Sequence, residues 1–335
     1  MNEIGVSIVV TAYERRDFFK QAIESILHQE IAHSSLEVII ISNFEIDLKQ
    51  NEGGIRVCNI VMEGTVGEFL FAGINAAKYE IIAFLDDDDL FGPEKLQRVV
   101  DAFSKNPVLC YYHNNQRYVN RNLQPIDYVR LVENRSRLSF EQDMLVNVDH
   151  ISNAIKQAIA IGADFNLSSI AIKRECANKF LPLLKQIKGG TDAFFFWMTL
   201  ATEGNMFLDH KRLTIYRIHS FNVSGQEDFT RKVSELKKQI HVYDLILEFM
   251  DKAHLRKEIK IYLEKWIYLY KYEYELMSLV LGNAHKKQLM RSMKKILLLG
   301  KEHSNTLKNR ILFFAILSIV NTNFARLLYS VANKS

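Results

Sequence analysis

Residues 83–96 read AFLDDDDLFGPEKL, an apolar run that ends in four consecutive carboxylates, Asp86 to Asp89. Like charges held that close repel, so a fold that keeps them must supply a cation, a helix N-terminus or open water. The chain upstream says where the run sits. IGVSIVV at 4–10, LEVIIIS at 36–42, IRVCNIVM at 55–62 and EIIAFL at 80–85 are continuously apolar and rich in β-branched residues. Strands buried on both faces read this way, as in a parallel sheet. Helical stripes separate them. Asp17 is placed to cap a helix whose inner face is Phe19, Ala22, Ile23, Ile26 and Leu27, and a second stripe runs Phe69, Leu70, Gly73, Ile74 and Ala77. Strand then helix, repeated, predicts an α/β sheet with helices on its faces.

Ligands of open α/β sheets bind beyond the carboxyl ends of the strands, where Asp86–Asp89 fall. Pro93 suits the first turn of the following helix, which would bury Leu96, Val99, Val100 and Phe103. One Asp here would read as a helix cap or a solvated turn. Four in a row favour a divalent cation, which relieves the repulsion directly. Further on, SSIAIKRE at 168–175 reads as a strand, and Phe180, Leu183, Leu184 and Ile187 as one helical face. Gly189 and Gly190 then precede a helix that Thr191 is expected to cap, which puts Asp192 in its first turn beside Phe194, Phe195, Phe196 and Trp197. Burial by those rings would raise the Asp192 pKa and the helix N-terminus would lower it, and a plain capping role stands as the alternative.

Taken together, VSIVVTAYERRDFFKQAIESILHQ, Gly73, AAKYEIIAFLDDDDLFGPEKL, GGTD and YRIHSFNVS resemble, in order over about residues 4–225, a family 2 inverting glycosyltransferase of the GT-A fold. The resemblance implies a Rossmann-like, mostly parallel sheet that binds a nucleoside-diphosphate sugar. It implies that Thr11, Ala12, Tyr13 and Glu14 hold the base and ribose, with Asn43 and Gly73 also at the nucleotide. Asp86, Asp87 and Asp88 correspond to the Asp-x-Asp element. By resemblance Asp88 ligates Mn²⁺ or Mg²⁺ on the diphosphate, with Asp86 near the ribose or metal, Asp192 as the general base, and Arg217 and His219 near the diphosphate or metal. Two positions depart from the pattern. Ser42 and Asn43 stand where the second strand commonly ends in a base-pairing Asp, and Leu70 and Phe71 replace an Arg-Asn pair. The resemblance therefore carries no base assignment.

Residue chemistry reaches the same roles independently: a hard cation on oxygen ligands suits a departing diphosphate, and inversion needs one base on the opposite face of the sugar. Two other readings stay open. A sugar-phosphate nucleotidyltransferase would also use strand-end acids with a metal, although VTAYERRD lacks the glycine of its phosphate loop. A non-catalytic sugar-nucleotide or scaffold module is the third.

At 335 residues the chain suffices for two domains. Strand signals stop near Gly225, so residues 1–225 read as the catalytic domain and 226–335 as a helical extension. The net charge of +4 conceals an asymmetry: residues 284–335 hold ten Lys or Arg against one acid, a net +9, leaving −5 elsewhere. That suggests a polyanionic partner. The apolar run Ile311–Val320 is ten residues, about half of what a bilayer span needs, so these helices are expected either to lie in an anionic membrane interface or to pack in a bundle. Nucleic acid is not expected, since neither interleaved aromatics nor a helix-turn-helix or finger spacing occurs. MNEIGVSIVV lacks the pattern of a signal peptide, and Cys58, Cys110 and Cys176 fit neither a zinc site nor a disulfide framework. Both points predict a cytoplasmic protein with buried thiols, peripheral to the membrane at most.

Overall fold

The structure, a computed structural model, describes residues 4–13, 16–31, 35–47, 51–126, 141–147, 157–158, 161–202, 204–219, 229–253 and 257–281. The chain starts with strand β1 (Val6–Ala12), helix α1 (Arg16–Leu27), β2 (Leu36–Ser42), the short β3 (Asn51–Glu52), β4 (Ile55–Val61), α2 (Val66–Ala76) and β5 (Ile81–Asp86). It continues with β6 (Leu90–Phe91), α3 (Lys95–Lys105), β7 (Leu109–Val119), β8 (Met144–Val146), β9 (Ile170–Lys173), α4 (Arg174–Asn178), α5 (Thr191–Ala201) and β10 (Asn205–Arg217). Two long helices follow, α6 (Phe229–Lys252) and α7 (Lys257–Val280).

Among the described residues ten strands make one sheet in the order β3-β4-β2-β1-β5-β9-β7-β10-β6, with β8 also paired to β10. β4, β2, β1 and β5 run parallel, β9 lies antiparallel between β5 and β7, and β7 pairs parallel with β10. The sheet is thus mostly parallel and flanked by helices, as the apolar runs imply. β1 and β2 are buried at every position. β4 is not: Arg56, Asn59 and Val61 are open, because only the two-residue β3 lies beyond it and the strand stands close to the sheet edge.

Alternation along the strands sends successive side chains to opposite layers. Val6, Ile8, Val10, Ile81, Ala83 and Leu85 join one core with Phe19, Ile23 and Ile26 of α1 and Leu96, Val99 and Phe103 of α3. The other face takes α2 and α5: Phe84 stacks on Phe195 with ring centroids 4.7 Å apart, and Val9 lies under Gly73. α2 starts from a reciprocal cap, in which Glu68 N donates to Thr65 Oγ1 and Thr65 N donates to Glu68 Oε2. For α5 the cap is Gly190, in a left-handed conformation, and Thr191 is the first helical residue. The expected Thr191 cap is corrected accordingly. Asp17 likewise lies inside α1 and does not precede it. Phe180 leads into a 3₁₀ segment, Leu181–Gln186, with Pro182 in its first turn.

Cys110 and Cys176 form a disulfide with their Cα atoms 5.7 Å apart. They are 66 residues apart in sequence, and the antiparallel β7–β9 pairing followed at once by α4 brings them together. This corrects the expectation of buried free thiols and removes the basis on which cysteine usage pointed to a reducing compartment. Cys58 remains a thiol.

The described residues fall into two units, one ending at His219 and the other holding α6 and α7. Within the second, the rings of Tyr243 and Tyr270 approach to 5.2 Å and Lys271 pairs with Asp244 at 2.8 Å. Among the described residues no helix is long and apolar enough to cross a membrane. The basic stretch 284–335, with Ile311–Val320, lies outside the described residues.

Gly67, in the first turn of α2, is where the helix meets the 3₁₀ segment: a β-carbon there would stand 2.0 Å from the Leu184 carbonyl oxygen. Backbone cannot step aside as a side chain can. Gly67→Ala is expected to cost about 1–3 kcal/mol, read as a lower urea midpoint with an unchanged slope.

Candidate active site at the carboxyl ends of the strands

Parallel pairing of β1 with β5 sets Thr11 beside Asp86, and pairing with β2 sets Ala12 beside Ser42. Three strand ends therefore lie side by side, at the carboxyl edge where ligands of such sheets bind. Thr11 Oγ1 donates to Asp86 Oδ1 at 2.8 Å, and Tyr13 N donates to Asp87 Oδ2 at 3.0 Å. Asp87 N donates to Thr11 O at 3.1 Å, which pins the start of the acidic turn to the end of β1. Tyr13 is exposed, with its ring 6.1 Å from Phe69. Asn43 follows β2 at a bend and is partly exposed, while the Ser42 hydroxyl donates to Phe44 O. Glu14 lies outside the described residues.

Gly73 has another explanation. A β-carbon there would lie 2.4 Å from Val9 Cγ1, so the glycine lets α2 approach β1. That approach alone accounts for a glycine at this position.

The four carboxylates are held one by one. Asp88 Oδ2 lies 3.2 Å from His219 Nε2, and both side chains are nearly buried. Asp89 accepts from Asn166 Nδ2 at 2.8 Å and from Arg217 N at 3.1 Å. Burial, reinforced by the charges of Asp88 and Asp86, pushes the Asp89 carboxyl well above the usual carboxylate range. Arg217, expected at the diphosphate, directs Nε to Asp88 O, one terminal nitrogen to Arg121 O and the other to Gln21 Oε1, with its guanidinium 4.3 Å over the Phe18 ring. It braces the acidic turn from behind. Burial draws its pKa down although Asp88 and Asp89 oppose this.

Asp192 reaches the same cluster from α5. Its Oδ2 accepts from Asn166 N at 3.0 Å and its Oδ1 from Ala193 N at 2.9 Å. Desolvation outweighs these bonds and, with Asp164 nearby, raises its pKa to about 6. A carboxyl so placed is a competent proton acceptor near neutrality.

Asn166, Ser168 and Lys95 carry no motif and are absent from the sequence-based set. Ser168 Oγ accepts from Asp86 N at 3.0 Å. Lys95 is wholly buried and donates to Ser168 O and Thr214 Oγ1. Burial pulls its pKa well below the ordinary lysine value, against the charges of Asp89 and Asp209.

Asp88 and His219 present an oxygen and a nitrogen donor side by side. Asp86 does not converge with them into a ready trio. Among the described residues the three groups whose ligand atoms lie within 4.8 Å of one another are Asp143, Asp209 and His210. That trio is already neutralised: Arg98 donates twice to Asp209 and once to Asp143, and the Tyr112 hydroxyl also donates to Asp209. It reads as an ion-pair network.

Residues 7–155 match the family described as Glycosyl transferase family 2. An uncharacterized glycosyltransferase of Nostoc sp. is 31% identical over 118 residues, covering 32% of this chain and 36% of that relative. The chain thus matches about a third of that relative's length. A second, from Rickettsia typhi, is 19% identical over 285 residues, 81% of this chain and 83% of its own. Among solved structures, S. aureus TarS 1–349 in complex with UDP-GlcNAc superposes with a TM-score of 0.51 at 12% identity, covering 88% of this chain and 89% of that one. The fold is therefore of the GT-A kind.

The raised pKa of Asp192 has a thermodynamic cost. The native state keeps its proton up to about pH 6, whereas the unfolded chain releases it near the ordinary value of 3.8. The native state thus binds the extra proton across that window, and stability falls as pH rises through it. Asp192→Asn is expected to raise stability at pH 7 by on the order of 1–2 kcal/mol, and to leave it unchanged below pH 4. Urea titrations at both pH values check this.

Proposed function

Since the chain carries a family 2 glycosyltransferase domain, we propose that it moves a sugar from a nucleoside-diphosphate sugar to a hydroxyl acceptor with inversion at the anomeric carbon. One observation carries the reading: the Asp88–His219 pair at the end of β5 belongs to the same hydrogen-bonded cluster as Asp192, whose pKa is suited to a base.

The nucleotide would lie along Thr11, Ala12 and Tyr13, with Asn43 facing the base. Asp88 and His219 would hold a divalent ion, with Asp86 and Asp87 oriented beside it by Thr11 and Tyr13. Such an ion, when bound, neutralises charge on the departing diphosphate. Asp192 takes the proton from the acceptor hydroxyl as its oxygen bonds to the anomeric carbon. The bond from that carbon to the diphosphate oxygen breaks, and its electron pair leaves with the nucleoside diphosphate. Ala193 N and Asn166 N each donate to one Asp192 oxygen, which orients the carboxylate. UDP-GlcNAc, the ligand named with TarS, is the first donor to try.

The acceptor is proposed to be a surface glycan or a lipid-linked saccharide, and the enzyme to work at the cytoplasmic face of the membrane. The net +9 of residues 284–335 supports this placement, since each basic residue near an anionic leaflet contributes on the order of 1 kcal/mol. No nucleic-acid role is proposed.

Wild type is expected to release nucleoside diphosphate from UDP-GlcNAc or another nucleotide sugar only with Mn²⁺ or Mg²⁺. Asp192→Asn should lower turnover roughly 10²–10⁴-fold while still binding donor, and turnover should fall below about pH 6. Pyrophosphate release would indicate the nucleotidyltransferase instead, and binding without turnover a scaffold. Sedimentation with phosphatidylserine vesicles at low and high salt tests the surface: binding that survives deletion of residues 284–335 refutes it.

A further inference from the structure

Asn166 sits just before the 3₁₀ turn Leu167–Ser169, with φ 67° and ψ 105°, a conformation that few side-chain-bearing residues adopt. Three bonds radiate from it. Its Nδ2 donates to Asp89 Oδ2 at 2.8 Å, its backbone N–H donates to Asp192 Oδ2 at 3.0 Å, and its Oδ1 accepts from Ser169 Oγ at 2.8 Å. The residue is 5% exposed. One residue therefore grips the acidic turn with its side chain and the opposing carboxylate with its backbone. The next polar residue, Ser168, holds the Asp86 amide.

Asp89 has no room to shift independently, because its other oxygen accepts from Arg217 N, two residues before His219. Movement of Asp89 therefore passes to the Asp88–His219 pair. Resting on the glycosyl-transfer reading given above, we propose that Asn166 is a positioning residue that fixes the separation between the donor-phosphate end of the site and the base Asp192. Its side chain sets one end and its backbone the other. The positive φ is what turns the N–H toward Asp192 while the amide faces the other way.

The two halves of the role separate by substitution. Asn166→Gly keeps the positive φ and the bond to Asp192 and removes the amide from Asp89. Asn166→Ala also removes the amide, and keeps a β-carbon without the short polar group that lets Asn tolerate the conformation presenting the N–H. The groups that bear on Asp192 and stay constant are Asp164, Tyr111 on β7, the Ala193 amide and, across Asn166, Asp89.

The experiment uses the full chain with Mn²⁺ and a panel of UDP, GDP, CDP and ADP for affinity, with nucleoside diphosphate release from the matching nucleotide sugar followed against pH. Asn166→Gly is expected to weaken nucleoside diphosphate binding roughly tenfold, because the acidic turn loses the donor that fixes Asp89, with the acid limb of turnover still near pH 6. Asn166→Ala is expected to weaken binding similarly and to move that limb up by about half a unit or more, because the carboxylate loses a donor. Equal affinity in Asn166→Gly and wild type overturns the inference. So does a decline in both variants that merely follows a lowered folded fraction with the limb unmoved. Wild type that binds none of the four diphosphates refutes the glycosyl-transfer reading, and this inference with it. Binding by wild type together with unaffected variants refutes this inference alone.

Discussion

Four adjacent carboxylates at the end of one strand are the constraint from which the rest of the site follows. In water they would spread apart. In the fold each is given its own donors, so that the turn is stable in shape while its charge is only partly cancelled. Thr11 and Tyr13 N hold the first two, His219 faces the third, and Asn166 and Arg217 N hold the fourth. Two buried basic side chains stand behind them: Arg217, which fastens the turn by its carbonyl, and Lys95, which anchors the Ser168 backbone and Thr214. Both lie within the protein matrix, where charge is felt over longer distances than in water.

The sheet was legible because its strands are apolar on both faces, and that pattern has few other meanings. β1, β2 and β5 appear within two residues of where the apolar runs place them. Helix α5 was legible except for its first residue, because Gly190 adopts a left-handed conformation that only the tertiary structure reveals. Asp88, His219 and Asp192 were named through the family resemblance, on the motifs that carry it.

What connects them could not. Asn166 lies in FNLSS, a segment with no charge, period or motif, and its importance arises from where β9 crosses between β5 and β7. Lys95 reads on a helical wheel as an ordinary polar residue at the start of α3, yet it is wholly buried. The Cys110–Cys176 pair is invisible for the same reason: sequence spacing says nothing about two segments joined by antiparallel pairing. Residue chemistry announces itself locally, whereas second-layer support depends on topology. The ion-pair cluster of Asp143, Asp209 and His210 shows the reverse error, since its residue types suit a metal while Arg98 already satisfies them.

The register of β1 against β5 has a wider consequence. Side chains alternate along a strand, so sliding β5 by one position would send Ile81, Ala83 and Leu85 to the layer where Ile82 and Phe84 now pack, and mismatch both layers. The same slip would exchange Asp86 for its neighbour opposite Thr11. Hydrophobic packing over the length of the sheet thus guards the alignment of the polar groups at its end. The geometry of the site is insured by greasy residues within the sheet.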